Sequence, residues 1–284
     1  MSRCAALDNA AEQIDFGCAD KSCDKGAART AVKLFRRADL LNNAFVHHHN
    51  AVAHGHGFGL IMGNIDGCHS KALLQPYVEA GREVICFSIS GSMSTSGNVM
   101  RLAAEELDAA AQVTIIDSEN LSTGIGLLVV EAAIMAEQGH SAAEITAAVR
   151  ELIPKVRASF VVDTLVYLWR GGRCNAVAAL AGSALRLHPK IVVENGAMHA
   201  TKKYRGKIDN AIMSYVKDME ADLKAARPDR VFITHSGCSR EVVEEVRSYL
   251  KGLTVFCEIL ETRAGGVISS HCGPGTLGVL FIAK

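Results

Sequence analysis

Aromatic side chains are scarce here, with one Trp, five Tyr and nine Phe among 284 residues, too few for the stacking platform that holds single-stranded nucleic acid. An excess of either charge is missing too. Thirty Lys and Arg face thirty Asp and Glu, and no long basic run makes up locally for the absent net charge, so nucleic acid is not an expected partner. No stretch reaches the roughly eighteen consecutive apolar residues that a bilayer span needs. The opening Met-Ser-Arg-Cys-Ala-Ala lacks the apolar core of a secretory leader. No stable membrane anchor is expected either. The nine cysteines are odd in number and include no Cys-x-x-Cys pair, which suggests neither a disulfide framework nor a zinc ribbon and fits a reducing cytoplasm. What the chain does have is apolar content, 49% of its residues. A chain of this size typically buries about three quarters of its unfolded surface, enough for an internal ligand cavity.

From about residue 82 the pattern becomes regular. Val84-Ile-Cys-Phe-Ser-Ile89 has the length of a strand, a small polar run follows, and Val99, Met100, Leu102, Ala103 and Leu107 recur at helical spacing. The same order returns with Val113-Thr-Ile-Ile-Asp117, a polar run at 118–122 and an apolar helix over 124–138. Successive strand-loop-helix units predict a parallel sheet covered by helices. Gly139 should end that helix, and Ser141 with Glu144 reads as a capping box for the next, reaching about residue 156. A second regime starts near residue 158. It holds a strand at 160–163, the amphipathic Leu165-Val-Tyr-Leu-Trp169, an Ala-rich helix over 175–187, and strands at 191–193 and 198–201 around the hairpin signal Asn195-Gly196. A long helix over 209–226 follows, then strands at 231–234 and 255–259 around a helix over 240–251, and the apolar tail closes the sheet. The expected fold class is α/β with two α/β domains, residues 1–155 and 156–284, the first built on a parallel sheet with flanking helices and the second on a mixed sheet with helices. Residues 1–60 stand outside this grammar.

Several segments carry candidate chemistry. Ser90-Gly-Ser-Met-Ser-Thr-Ser-Gly97 sits at the carboxyl end of a predicted strand and opens a helix. Its hydroxyls, Ser90, Ser94 and Thr95 among them, lie with backbone amides where open α/β sheets take up anions, although a plain helix cap has the same composition. His271-Cys-Gly-Pro-Gly275 brings a turn and an imidazole beside an apolar strand. Gly273 there allows backbone to approach a ligand; the alternative is a strand-turn-strand corner whose histidine is a satisfied core residue. Gly171-Gly172-Arg173 is either a helix C-cap or a means of aiming Arg173 at an anion or a partner protein. His47, His48, His49, His54 and His56 offer imidazoles for a transition metal, but their spacing is irregular and no carboxylate lies among them. Asp117-Ser118 and His235-Ser-Gly-Cys238 both follow strands and admit a nucleophile system, yet no nucleophile elbow or phosphate-cradling Gly-rich loop with Lys occurs.

Taken in order, the Ser90 loop, Ile115-Ile-Asp-Ser118 with Ser122 and Gly124, the segment from Leu165 ending in Gly-Gly-Arg173, Lys203 with Arg205, and His271-Cys-Gly-Pro-Gly275 resemble the DegV family of bacterial fatty-acid-binding proteins over residues 80–284. The resemblance implies a two-domain α/β protein that buries one long-chain fatty acid in a cavity between its domains. It implies that Ser94 and His271 hold the carboxylate, with Ser90, Thr95 and Gly273 in the same two loops. Arg173 would serve the polar mouth or the docking of a separate fatty acid kinase, which makes the acyl-phosphate. Such a protein is a carrier and not an enzyme, without cofactor or metal. One departure stands out: where the family has Thr-Ser-Gln-Pro-Ser, whose Thr binds the carboxylate, this chain has Met62-Gly-Asn-Ile-Asp66. Two other classes compete, a serine-dependent hydrolase using Ser94 or Ser118 with His271, and a His-rich metal-binding protein.

Overall fold

The computed structural model describes residues 13–15, 46–47, 50–55, 58–63, 67–172 and 187–284, with side chains from residue 70 onward. Strand β1 (Gln13–Asp15) belongs to the larger of two sheets. The smaller holds β2 (Val46–His47), β3 (Asn50–Gly55), β4 (Phe58–Gly63), β5 (Glu83–Ser88) and β6 (Val113–Asp117), side by side in that order. β4, β5 and β6 run parallel, as the strand-loop-helix order predicts, while β2 and β3 add an antiparallel hairpin in the part of the chain without periodicity. Helices α1 (Gly67–Glu79), α2 (Ser96–Glu106), α3 (Thr123–Glu137) and α4 (Ala142–Leu152) cover this sheet. A parallel strand covered on both faces reads as a continuous apolar run, and Val84, Ile85, Cys86 and Phe87 are all buried. In α2 the buried positions are Ser96, Gly97, Met100, Ala103 and Ala104. Leu102, expected on the inner face, falls between these rows and is 59% exposed.

Helix α3 shows why one stretch is apolar on every side. It packs on β3, β4 and β5 of the small sheet and on two strands of the large one, so it has almost no face left for water. Gly139, at φ +86°, ends it, and Ser141 and Glu144 form the reciprocal capping box that starts α4.

After a 3-10 turn (Ile153–Lys155) the chain enters the large sheet. Its elements are β7 (Val156–Val161), α5 (Val166–Arg170), β8 (Leu187–Glu194), β9 (Ala197–Arg205), α6 (Ile208–Asp218), α7 (Glu220–Lys224), β10 (Ala226–Ser236), α8 (Arg240–Gly252), β11 (Glu258–Arg263), α9 (Gly266–Cys272) and β12 (Thr276–Ala283). The strand order is β1-β11-β10-β12-β7-β8-β9, mixed in direction, with β1, β11 and β10 parallel and the remaining pairs antiparallel. Asn195 and Gly196, both at positive φ, make the two-residue turn of the β8–β9 hairpin.

Three expectations change. The long helix over 209–226 breaks at Met219, whose buried sulfur accepts a hydrogen bond from Ser159 Oγ. The strand expected at 255–259 begins instead at Glu258, because ion pairs from Glu258 to Arg230 and from Glu261 to Arg247 admit charged residues into it. The tail is a helix, a turn and a strand, not a strand-turn-strand corner. The Ala-rich stretch over 175–187 and Arg173 lie almost wholly or wholly outside the described residues.

One apolar core runs between the sheets, joining Phe87, Ile116 and Leu128 to Ala158, Phe160, Ile191, Phe232 and Leu280. A second lies on the far face of the large sheet under α6 and α8. Beside the shared core, Thr123 and Thr234 are hydrogen-bonded, and Thr234 and Thr262 are joined at 2.8 Å. Glu131 of α3 binds Arg230 at 2.6 Å and Arg227 at 3.0 Å. Among the described residues no helix is long and apolar enough to cross a membrane.

Candidate ligand site

The hydroxyl loop leaves β5 and is fixed by backbone and carboxylate contacts before any ligand is considered. Ser90 N donates to Asn120 O at 2.9 Å, and the Asp117 carboxylate accepts from Gly91 N at 3.0 Å and Glu119 N at 2.9 Å. The loop is then clasped from the other sheet: the buried Ser90 Oγ donates to the Gly196 carbonyl at 2.6 Å, and Ser92 Oγ donates to the same oxygen. Gly196 sits at φ +74°, where a side chain is strained, and a Cβ there would push on Ser90 Oγ at 2.8 Å. This clasp is what reading the sequence missed. Asn195-Gly196 announces a hairpin, but nothing local says what its carbonyl meets.

Ser94 and Thr95 are differently placed. Ser94 is half-buried; its Oγ accepts from Ser96 N at 3.2 Å, and among the described residues its own proton reaches only Ser96 Oγ, at 3.3 Å. Thr95 is the N-cap residue of α2, yet its exposed side chain makes no capping hydrogen bond. The loop is therefore not a plain side-chain cap. Hydroxyl capacity at Ser94 and Thr95 that is unused among the described residues sits with the amides at the start of a helix, an arrangement that favours an anion.

His271 lies in the last turn of α9, and the ring lies directly on Gly171, where a Cβ would come within 2.0 Å of Nδ1. Gly171 is the C-cap of α5, and Gly172 follows at φ +68°. The Gly-Gly pair thus works as a C-cap and also gives the imidazole room. Gly273, at φ +80°, packs under Tyr167 of α5 so closely that a Cβ would lie 2.3 Å from Cδ2. Thr276 Oγ1 donates to Cys272 O at 3.0 Å and Gly275 N to Ser236 O at 2.7 Å, tying the turn to β10 and β12. Both motifs border the shared apolar core. Ile89 and Met93 of the hydroxyl loop pack against it, as do Leu165 and Ile268, while Leu168 and Cys272 are buried within it.

The other candidates have structural occupations. Ser118 is buried with its hydroxyl donated to Ser88 O at 2.7 Å. His235 lies 3.3 Å from Glu261, and its Nδ1 accepts from Cys238 N. Burial pushes the Cys238 and Cys272 thiols up to about 12, so neither is a thiolate at neutral pH. Among the described residues no group of three or more His, Cys, Asp or Glu is arranged to hold a metal. The side chains of His47, His48, His49, His54 and His56 lie outside the described residues.

The chain is thus an α/β protein of two sheets sharing an apolar core, with polar loops from both chain halves at its border. The model of the family described as "Uncharacterised protein, DegV family" matches residues 69–284, and the chain belongs to the DegV family. A DegV domain-containing protein of Caldanaerobacter subterraneus is 33% identical over 175 residues, 61% of each chain. Among solved structures, a DegV family protein from Thermus thermophilus, described for its fatty acid binding, aligns with a TM-score of 0.70 at 27% identity, covering 82% of this chain and 80% of that one. The Fatty Acid Kinase (Fak) B3 protein of Streptococcus pneumoniae, loaded with linoleic acid, shares the fold with a TM-score of 0.67 at 15% identity, covering 94% and 89%.

Proposed function

We propose that this chain binds one long-chain fatty acid, its alkyl tail in the apolar core between the sheets and its carboxylate between the Ser94–Thr95 amides and hydroxyls on one side and His271 on the other. The observation that carries this reading is that Met93, from the hydroxyl loop, and Leu165, Leu168 and Ile268, from the His271 side, belong to one apolar cluster. The likeness to the Thermus thermophilus fatty-acid-binding protein supports it. An alkyl tail of about fourteen methylenes gains roughly 11 kcal/mol of gross transfer free energy. Burying its carboxylate unpaired would forfeit several kcal/mol, which is why donors must converge at one end. In this reading Ser90 and Gly273 set the shape of the two loops, and the chain is a carrier with no catalytic residue. The Fak B3 neighbour supports a fatty acid kinase as the partner to which the bound acid is presented, and in this reading Arg173 serves its docking.

Native mass spectrometry of freshly purified protein tests the proposal. A co-purifying long-chain acid at one per chain is expected, and adding such an acid to stripped protein should raise Tm by ligand linkage. Ser94→Ala combined with His271→Ala should weaken binding by about tenfold or more, a loss of about 1.4 kcal/mol or above. A folded protein that carries no acid and shows no Tm response overturns the reading. Arg173→Ala should keep the lipid and lose phosphorylation by the kinase.

A further inference from the structure

Along the face of the large sheet that carries Ser159, Met219 and Phe281 lies a cleft of about 310 Å³, whose lining holds both charges and at its edge takes in Val156, Ala158 and Val193 of the shared core. Its floor is made by neighbouring strands: Ser159 of β7 lies opposite Val192 of β8, with Lys190 and Glu194 to either side along β8. Met219 and Asp222 close one wall, and Glu119 with Pro154 reach in from the junction with the small sheet. The volume is at the lower end of what small-molecule sites occupy.

Lys190 sets the chemistry. Its ammonium is half-buried over the Tyr215 ring, 5.5 Å from the centroid, and among the described residues no carboxylate comes within ion-pair distance. Asp222 and Asp218 act on it only from farther off, and Asp218 is already bound to Lys202 and Tyr204. Burial pulls the Lys190 pKa below its ordinary value, so the ammonium would gain from a counter-ion inside the cleft. Ser159 Oγ lies next to it on the floor, sharing its hydrogen bonds with Tyr215 OH, at 2.9 Å, and Met219. The opposite end is different. Glu194 and Glu119 are exposed carboxylates, and Arg157, which also lines the cleft, turns its guanidinium back to the Pro154 carbonyl at 2.8 Å. A second anionic group would meet repulsion there, whereas a cationic group would be welcome. Lys190 and Glu194 are four residues apart on one strand, a Cα separation of about 13 Å, which suits a short linear molecule.

We infer that this cleft is a second ligand site, apart from the Ser94 and His271 loops, for a small zwitterion of the ω-amino-acid type, with its carboxylate on Lys190 and its ammonium at Glu194 and Glu119. The probe that fits is 6-aminohexanoate, with adipate, which carries a carboxylate at both ends, as the control.

The test is titration of the full chain followed by backbone amide resonances. The expected result is that 6-aminohexanoate shifts the amides of Ser159, Lys190 and Val192 with a dissociation constant in the low millimolar range, about 4 kcal/mol of binding free energy. Adipate should bind at least about fivefold more weakly and Lys190→Met at least about tenfold more weakly. Co-purified long-chain acid should be unchanged in Lys190→Met, which keeps this test apart from that of the lipid site. No shifts at about 50 mM probe, shifts mapping elsewhere, equal binding of adipate, or full binding by a folded Lys190→Met protein would each overturn the inference. Should Lys190→Met fail to fold, the location of the shifts in the unaltered chain and the adipate comparison still decide it.

Discussion

The two loops at the border of the shared core are held by opposite means. The hydroxyl loop is held by polar contacts, across to the other sheet from Ser90 and Ser92 to the Gly196 carbonyl and within its own half from Gly91 N to the Asp117 carboxylate. The His271 turn, besides its hydrogen bonds to β10 and β12, is seated by close packing against glycine, its imidazole on Gly171 and its backbone at Gly273 under Tyr167. Hydrogen bonds to one carbonyl can be exchanged singly, each for a modest cost, whereas a close-packed contact fails as a unit once a methyl group is inserted. The turn should therefore be the brittle side of the site and the hydroxyl loop the tolerant one.

The largest expected effect follows at Gly273. Gly273→Ala meets both the positive φ and the Tyr167 ring, and should lower stability by about 2–4 kcal/mol, measured by urea unfolding. Gly275, at φ +74°, is the internal control, because its nearest neighbours to an added Cβ stand at 3.8 and 3.9 Å. Gly275→Ala should cost only the backbone strain, about 1–2 kcal/mol. Equal losses at the two positions would mean that backbone conformation alone shapes the turn and would remove the contrast drawn above. Gly171→Ala comes next, with a smaller stability loss of about 1–3 kcal/mol, since the His271 ring is able to swing away. If His271 holds a carboxylate, that displacement should weaken fatty-acid binding about as much as His271→Ala does.

How much of this was legible depends on how far apart the determining residues lie. The strands β5 and β6, the helix α3, the capping box at Ser141 and the hairpin at Asn195-Gly196 rest on near neighbours in the chain, and periodicity and turn chemistry report them. The start of β11 and the break at Met219 depend on Arg230, Arg247 and Ser159, none of them local, and no window of sequence contains both partners. The site divides in the same way. Each loop was visible as a cluster of hydroxyls, glycines and a histidine, whereas the clasp on Gly196, the seat of His271 on Gly171 and the common apolar core are products of topology. The burial of Ser90 shows the limit most clearly. By composition it ranks with Ser94 as a ligand hydroxyl, yet its proton is already directed at a carbonyl of the other sheet.

That carbonyl also furnishes the smallest and most diagnostic effects. Ser90→Ala removes a buried donor while Ser92 still satisfies the Gly196 oxygen, so a loss of about 1–1.5 kcal/mol is expected. Ser92 is exposed, and Ser92→Ala, with Ser90 still in place, should cost about 0.5 kcal/mol or less. Removing both leaves the carbonyl of buried Gly196 without either hydroxyl, and the double variant should lose more than the sum of the single losses, by about 0.5–1 kcal/mol. Strict additivity in that cycle would show that the two serines do not share one acceptor in solution. The cross-sheet clasp would then not be what holds the hydroxyl loop, and its tolerance would have to come from Asp117 and the backbone contact to Asn120 alone.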